Sequence, residues 1–422
     1  MRAEAPTPTA PDAIVHAALD RLAGDMPRLG IALSGGGDST ALMHLAHGWA
    51  RERGRVLMAA TVDHGLRPGS DAEARQAGLD AQGLGIAHET LLWRREGERA
   101  GNLMAAARAA RLWLLSDWAH RHGLDAVLLG HTRDDQAETL MMRLNRGAGV
   151  DGLAAMAPRR EAFGLSWLRP MLDLSRADLR QWLAARGIGW VDDPSNQNAD
   201  YERIRARKAL VALDLPMAQL AQSAANLAMA REALQVFAAH VAEGATARAG
   251  ALSLPLAAFR AAPLEIRRRL LVAGLRFVTG ADYSPRRAPL LAALAALEGE
   301  ARLTLDGAIL EVRGAALCLI REPAAALRGP PGLPDATGAA LWDGRWRVQG
   351  LGAGQEVRAL GYDPLPELDW RASGLTRDEA AASPGIWAGP VLIAAPVLQV
   401  APKAIGEALR NLADFRAMLY TH

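Results

Sequence analysis

Leu29-Gly30-Ile31-Ala32-Leu33 runs directly into Ser34-Gly35-Gly36-Gly37-Asp38-Ser39, an apolar stretch of strand length that ends in three consecutive glycines. Glycines let a backbone come close to an anion. A helix opening immediately afterwards aims its first N–H groups, and the positive end of its dipole, at the same point. Leu42, Leu45, Ala46 and Trp49 follow at helical spacing. The segment therefore predicts strand, phosphate-binding turn and crossover helix, with Ser34 and Ser39 offering hydroxyl donors. A plain strand-to-helix turn capped by Ser and Asp is the competing reading, and three glycines behind a buried strand weigh against it.

A mononucleotide loop that handles β and γ phosphates carries a Lys before its last Ser or Thr. Asp38 stands there instead. A carboxylate beside a polyphosphate needs a cation between the two, so Mg²⁺ is expected at Asp38.

Outward from this turn, apolar and helical segments alternate. Val56 to Val62 reads as a strand, Asp71 to Leu84 as a helix, Ile86 to Trp93 as a strand, Asn102 to His122 as a long helix and Ala126 to Gly130 as a strand. This order predicts an α/β domain over residues 1–215 with a doubly wound parallel sheet and ligands beyond the carboxyl ends of its strands. The polar residues at those ends are Ser34 to Ser39, then Asp63 and His64, then His131 to Glu138. Pro216 to Ala242 reads as a connecting helix that opens a helical and α+β domain over 216–327. There, Pro255 to Gly299 is helical, and three short strands are joined by turns at Asp306-Gly307 and Arg313-Gly314. The Gly- and Pro-rich stretch 328–335 introduces a small, mostly β domain over 328–422. It carries a hairpin signal at Trp342 to Trp346 and a closing helix near Ile405 to Leu419.

At 422 residues and 50 % hydrophobic, the chain has material for sizeable cores. No apolar run approaches the roughly 18 residues of a membrane span, and Pro6, Pro8 and Pro11 do not suit a signal peptide, so a cytoplasmic protein is expected. One cysteine, Cys318, excludes an intrachain disulfide framework and a Cys-based metal site. The net charge is +2, and of 48 basic residues all but Lys208 and Lys403 are Arg. They cluster at Arg203, Arg205, Arg207 and Lys208, at Arg267, Arg268 and Arg269, and at Arg286-Arg287. Such clusters suit nucleic-acid phosphates, although a solvated helix face explains any one of them.

In Gly130-His131-Thr132-Arg133-Asp134-Asp135-Gln136-Ala137-Glu138-Thr139, Asp135 and Glu138 are three apart and share a helix face suited to an ammonium group. Thr132 and Asp135 also make a capping box, and spacing alone does not choose between the two readings. Arg108 and Arg111 share a face of the preceding helix, where an arginine could clamp an α-phosphate. Asp192 and Asp193, beside Pro194, are turn caps or metal or amine ligands. Gly147 to Gly152 matches G-x-G-x-x-G but follows a helix, so it reads as a helix-ending turn and not as a dinucleotide fingerprint.

Ser34 to Ser39, Val62-Asp63-His64-Gly65-Leu66-Arg67, Gly130 to Thr139, Arg146 to Leu153, and Trp190 to Asn196 followed by Arg203-x-Arg205-x-Arg207 occur in this order. Together they resemble bacterial tRNA(Ile)-lysidine synthetases, members of the PP-loop ATP pyrophosphatase superfamily. The likeness is dense over residues 29 to about 210, and beyond that only the domain layout is similar. It implies that ATP, with Mg²⁺, adenylates the C2 oxygen of the wobble cytidine of a CAU-anticodon tRNA(Ile), and that free L-lysine then displaces AMP to give lysidine.

It further implies ATP contacts from Ser34, Gly35, Gly36, Gly37, Asp38, Ser39, Asp63 and His64. Catalytic positions would be Asp38, Arg111, His131, Asp135 and Glu138. Lysine would meet Asp135, Glu138 and Asp192, and the tRNA would meet Arg203, Arg205 and Arg207; the cluster Arg267, Arg268 and Arg269, beyond the matched motifs, is expected at tRNA on its charge alone. A homodimer is left open. Two departures stand out: Leu112 replaces an aromatic residue and Ile204 an Asn. A tRNA thiolase is disfavoured by the lone Cys318, and a GMP synthetase by the lack of a visible glutaminase or dimer module. Another PP-loop tRNA-modifying protein, or a non-catalytic tRNA-binding protein on a relic nucleotide fold, is the alternative.

Overall fold

The computed structural model describes residues 10–65, 69–93, 103–191, 202–281, 283, 285–399 and 404–420, the side chains of 103–105 excepted. The chain separates into two compact units, Met1–Arg231 and Glu232–His422.

The first unit runs α1 (Pro11–Ala23), β1 (Arg28–Ala32), α2 (Gly37–Arg53), β2 (Val56–Asp63), α3 (Ser70–Gly83), β3 (Ala87–Leu92), α4 (Leu103–Arg121) and β4 (Ala126–Leu128). It continues with α5 (Arg133–Asn145), α6 (Val150–Leu153), β5 (Arg159–Ala162), β6 (Leu165–Leu168), α7 (Arg176–Ala184) and α8 (Glu202–Ala212). A further helix, α9 (Met217–Val241), carries the division between the units. The sheet order is β3-β2-β1-β4-β6-β5, parallel except for the edge strand β5.

Strand alternation sorts the two faces. Leu29 and Ile31 of β1 enter one core with Leu42, Trp49, Leu179 and Leu183. Ala32 enters another with Leu115, Trp118, Val127 and Trp167. Gly30 faces Trp118 so closely that a Cβ would lie 2.6 Å from the indole ring, which is why a glycine interrupts the apolar run. The chain leaves β1 toward β2 on one side and reaches β4 on the other. The carboxyl ends of β1 and β4 therefore flank the switch point where open α/β sheets bind ligands.

One element of this sheet is absent from the sequence expectation. The β5–β6 hairpin turns through Phe163 and Gly164, both at positive φ (56° and 67°). Phe is an unusual residue there, since a Cβ disfavours that region. The Gly147 reading holds: Gly147, at φ 66°, follows α5 and leads into α6.

The second unit begins with β7 (Thr246–Arg248) and β8 (Ala251–Pro255), followed by α10 (Leu256–Ala261), α11 (Leu264–Thr279) and α12 (Arg287–Ala296). Strands β9 (Arg302–Leu305), β10 (Ala308–Arg313) and β11 (Ala316–Arg321) complete a sheet of order β7-β8-β11-β10-β9. The expected turn at Asp306-Gly307 is a two-residue connection with both φ positive (46° and 79°), as type I′ geometry requires. After α13 (Pro323–Leu327) come β12 (Ala339–Trp342), β13 (Trp346–Gln349), β14 (Glu356–Ala359), α14 (Arg377–Ala381), β15 (Pro384–Ala388), β16 (Val391–Ala394), β17 (Ile405–Ala408) and α15 (Leu412–Met418).

One expectation is corrected here. The closing helix does not begin at Ile405: Ile405–Ala408 pairs antiparallel with β13, and helix begins only after Asn411, whose side chain accepts from the Ala413 and Asp414 amides. Residues 232–327 and 328–422 fall in one compact unit. Phe415 of α15 packs edge-on against Phe277 of α11 at 6.1 Å, and Arg321 pairs with Asp343 at 2.9 Å.

The Arg267 to Arg269 run, expected to meet tRNA, lies on α11. That helix buries Ile266, Leu270, Ala273 and Phe277, and Arg269 falls on the same face with 0 % exposure, its Nε 3.0 Å from Glu265. Arg268 also binds Glu265, at 2.7 Å, and Arg267 pairs with Glu298. Arg269 is thus turned inward and Arg267 and Arg268 already hold carboxylates. Arg269→Ala is expected to destabilise the second unit by about 2–5 kcal/mol, because it removes a fully buried side chain and leaves a cavity, while Glu265 keeps Arg268. Thermal unfolding checks this, and an unchanged midpoint would return Arg269 to the surface.

Among the described residues, no helix is long and apolar enough to cross a membrane. Cys318 is buried, as its strand position predicts.

Candidate active site

The glycine turn is built as a cradle. Gly35 has φ 77°, a conformation suited to glycine, and Gly36 is the N-cap of α2. Gly130, at the end of β4, lets the start of α2 approach closely: a Cβ there would lie 3.2 Å from the Ser39 backbone. Ser39 Oγ donates to the Gly36 carbonyl at 3.0 Å, accepts from the Ser34 amide at 3.1 Å and lies 3.0 Å from Ser34 Oγ. Its proton is committed to Gly36, so Ser34 Oγ is the donor of that last bond. Both hydroxyl protons are therefore used inside the turn. The donors left for an anion are the backbone N–H groups of the first turn of α2.

Asp38, in that turn, is half-buried, and burial raises its carboxyl pKa despite the nearby Arg176. At the end of β2, Asp63 accepts from the Gly65 amide at 2.9 Å. His64 stacks edge-on against Trp93 at 5.7 Å, and its buried Nδ1 has no hydrogen-bond partner. Burial, reinforced by the charge of Arg111, lowers the His64 pKa and keeps the ring neutral.

Beyond β4, Asp135 answers the question left open by its spacing, because its two oxygens do different things. Oδ2 accepts from the Thr132 amide (2.8 Å) and hydroxyl (2.9 Å), closing the capping box of α5. Oδ1 faces the cleft. Glu138, one turn on, has 0 % exposure; its Oε1 accepts from two arginines, while its buried Oε2 has no hydrogen-bond partner.

The residue that organises this cluster was not among the expected ones. Arg176, the first residue of α7, sends Nε to Asp38 Oδ2 (3.0 Å), Nη1 to Glu138 Oε1 (2.7 Å) and Nη2 to Asp135 Oδ1 (2.6 Å). Its own amide donates to Asp134 at 3.0 Å. Burial opposes its charge, but the carboxylates around it outweigh burial and raise its pKa, while Arg176 and Arg203 hold the Asp135 carboxyl below its usual value in spite of burial. A reciprocal pair completes the arrangement. Arg133 opens α5 and reaches Asp178 in the capping box of α7, at 3.7 Å, just as Arg176 reaches Asp135 in the capping box of α5. Arg176 arrives here because β6 lies beside β4. The local signal in the sequence is the capping box Ser175-x-x-Asp178, which marks the start of α7 but not its place beside Asp38.

Arg203 and Arg207, one turn apart on α8 and partly exposed, also meet this cluster. Arg207 donates to Glu138 Oε1 at 2.7 Å, and Arg203 lies 3.6 Å from Asp135 and 3.7 Å from Glu138. Arg205 points to the exposed face. Ile204 is buried between them, and Leu112 packs against the Trp118 core, so both departures from the family pattern serve as apolar filler. Asp192 lies outside the described residues.

Arg111 retains solvent contact on α4, yet protein around its guanidinium, with Arg108 and Arg203 nearby, lowers its pKa. Burial, with Arg160, Arg108 and Arg143 close by, pushes Arg169 down to about 10. These arginines repel one another.

His131 follows β4. Burial, together with the charges of Arg169, Arg203 and Arg111, pushes its pKa down to about 3 against the pull of Asp135. It is therefore neutral at physiological pH and available as a hydrogen-bonding group. The stability consequence has a definite sign. As pH falls below about 6.5, the unfolded chain takes up a proton that folded His131 refuses, so stability falls, by about 2 kcal/mol between pH 7 and 5 from this group. Denaturant midpoints of the parent and of His131→Asn at the two pH values should differ by that loss. Equal pH dependence would mean that His131 titrates normally.

A parallel sheet with a glycine turn after β1 and a carboxylate-bearing helix after β4 is the framework of a PP-loop domain, and residues 12–213 match the family of that description. The chain is 46 % identical over 408 residues to the tRNA(Ile)-lysidine synthase of Ruegeria pomeroyi, with 94 % of each chain covered. It is 38 % identical over 350 residues to that of Hyphomonas neptunium (80 % of this chain, 90 % of the relative). To that of Methylobacterium nodulans it is 41 % identical over 310 residues (69 % and 90 %). The chain belongs to the tRNA(Ile)-lysidine synthase family.

Proposed function

We propose that this protein joins free L-lysine to C2 of the wobble cytidine of tRNA(Ile) with a CAU anticodon, consuming ATP in the cytoplasm. The observation that carries the reading is the junction of two half-sites. The glycine turn after β1 and the carboxylates after β4 lie on adjacent strands, and one guanidinium touches Asp38, Asp135 and Glu138 at 3.0 Å or less.

In the first step the cytosine C2 oxygen attacks the α-phosphorus of ATP, the bond to the β-phosphate oxygen breaks, and pyrophosphate leaves. Backbone N–H groups from Gly36 to Ser39 cradle the departing phosphates, and Arg111 stabilises charge that develops on the α-phosphate. Asp63 and His64 line the same strand ends, with neutral His131 offering a hydrogen bond nearby. In the second step the lysine amine attacks C2 and AMP leaves with the former C2 oxygen. A lysine side-chain amine, which ordinarily titrates near pH ~10.4, must lose a proton to attack. Glu138 is the acceptor, because it offers a buried oxygen without a hydrogen-bond partner, and Asp135 pairs with the ammonium beforehand.

Mg²⁺ fits this donor set. Among the described residues no cluster of three His, Cys, Asp or Glu side chains forms a protein cage. Asp38 beside an amide cradle suits a cation held by one carboxylate and substrate phosphates, and when bound it would neutralise phosphate charge. Arg205, with Arg108 and Arg160 among the mutually repelling guanidiniums, would meet tRNA phosphates, which relieve that repulsion.

Mass analysis of a CAU-anticodon tRNA(Ile), incubated with the protein, ATP and isotopically labelled lysine, tests the reading. The expected result is one lysine per tRNA at the wobble cytidine, with AMP and pyrophosphate as co-products. Release of ADP and orthophosphate, or an unmodified tRNA, would overturn it.

A further inference from the structure

Arg176 occupies an unfavourable place for a cation. As the first residue of α7 it sits at the positive end of a helix dipole, and its guanidinium is largely removed from water. It is held there by three carboxylates, each on a different nitrogen. Two of them, Asp135 and Glu138, form the amine-binding pair proposed above, and the third, Asp38, belongs to the nucleotide turn. Charge counting makes the arrangement informative. Asp38, Asp135 and Glu138 already face Arg176, Arg203 and Arg207, so the cluster is neutral before any substrate arrives. An incoming ammonium brings a fourth positive charge to two carboxylates that Arg176 already holds, through Asp135 Oδ1 and Glu138 Oε1.

We propose that Arg176 is a positioning residue that couples the two half-sites: its guanidinium keeps the amine pocket filled while Asp38 is free to bind it, and yields Asp135 and Glu138 to the substrate ammonium once the nucleotide engages Asp38. A guanidinium is flat and rigid, so its three nitrogens cannot keep three carboxylates if one is drawn elsewhere. Losing the Asp38 contact removes one of three anchors, and the remaining two face competition from a smaller, more mobile ammonium. Arg203, at 3.6 and 3.7 Å, and Arg207, with its one bond to Glu138, touch no residue of the nucleotide turn in these contacts. They cannot report nucleotide binding in this way. The consequence is ordered use of substrates: lysine binds weakly until the site that activates the tRNA is loaded. Coupling of this kind is reciprocal, so lysine must tighten nucleotide binding by the same factor.

The inference rests on Asp135 and Glu138 being the lysine site, and calorimetry separates the two claims. L-lysine is titrated into the full-length protein with and without Mg²⁺ and an ATP analogue that cannot be cleaved between the α and β phosphates. In the parent, the analogue is expected to tighten lysine binding tenfold or more. In Arg176→Gln, lysine should bind at least as well as to the nucleotide-free parent, and the analogue should change its affinity less than twofold. Arg176→Lys, which keeps a charge but cannot span three carboxylates, should show reduced coupling, and it serves if the Gln variant does not fold.

Equal coupling in parent and variants would overturn the role of Arg176 while leaving the lysine site standing, as would lysine binding by the parent that ignores the analogue. Weaker lysine binding to Arg176→Gln in the absence of nucleotide would show that Arg176 supports the pocket and does not fill it. No lysine binding under any condition would overturn the site and the inference together.

Discussion

Glu138→Gln is expected to slow lysine incorporation by about 10²–10⁴-fold, the usual contribution of a positioned proton acceptor, while pyrophosphate formation from ATP and tRNA persists. The substitution keeps the shape and removes the charge. Glu138 Oε1 is the meeting point of Arg176 Nη1 and Arg207 Nε, both at 2.7 Å, and an amide oxygen turned that way still accepts from them. The amide NH₂ would then stand where Oε2 now lies buried without a hydrogen-bond partner. A donor at that place repels an ammonium and cannot take its proton. Following labelled lysine and pyrophosphate in parallel checks this, with thermal unfolding as a control for folding. If both half-reactions fell equally in a folded variant, Glu138 would be a fixture of the arginine cluster and not the acceptor.

The second large effect is expected at Asp38. Asp38→Ala should reduce tRNA-dependent pyrophosphate release by at least about 10²–10³-fold, the cost of losing one charge-stabilising group in an acyl- or phosphoryl-type transition state. It should leave tRNA affinity close to that of the parent. The carboxylate lies in the first turn of α2, between the glycine cradle and Arg176, so its removal disturbs the phosphate end and leaves the exposed arginines of α4 and α8 in place. Filter binding of labelled tRNA, set beside pyrophosphate release, separates the two. Equal loss in both would mean that the turn anchors tRNA and not the nucleotide.

How much of this was legible in the sequence depended on how local each signal was. The glycine turn, the helix behind it and the acidic start of α5 were readable, because each rests on contacts within a few residues. Asp306-Gly307 was readable for the same reason, since both residues tolerate positive φ. Phe163-Gly164 was not, because its turn is stabilised from a distance: Ser116 Oγ and His120 Nε2 contact the Phe163 carbonyl from α4. The place of β6, and with it that of Arg176, follows from this hairpin and so has no local signal either.

The arginines show the opposite limit. Arg203, Arg205 and Arg207 form one basic run on paper, but helical geometry sends the first and last to carboxylates of α5 and the middle one outward. In the same way Arg269 reads as surface charge until the burial of Ile266, Leu270 and Phe277 fixes which side of α11 is core. Spacing identifies which residues share a face, and only the tertiary neighbours decide what that face meets.

The crossed arginines of α5 and α7 have a consequence for anyone seeking to retarget this enzyme to a different amine. Each helix start secures the other: Arg133 leans on Asp178, Arg176 on Asp135, and the backbone amides of both arginines are tied across the same seam, to Leu174 and Asp134. A lesion at Asp178, which touches no reacting group, would loosen the seat of Arg176 and be mistaken for a chemical defect. Reshaping the amine site proposed at Asp135 and Glu138 is better attempted from α8, where Arg203 and Arg207 approach the same carboxylates from outside that seam.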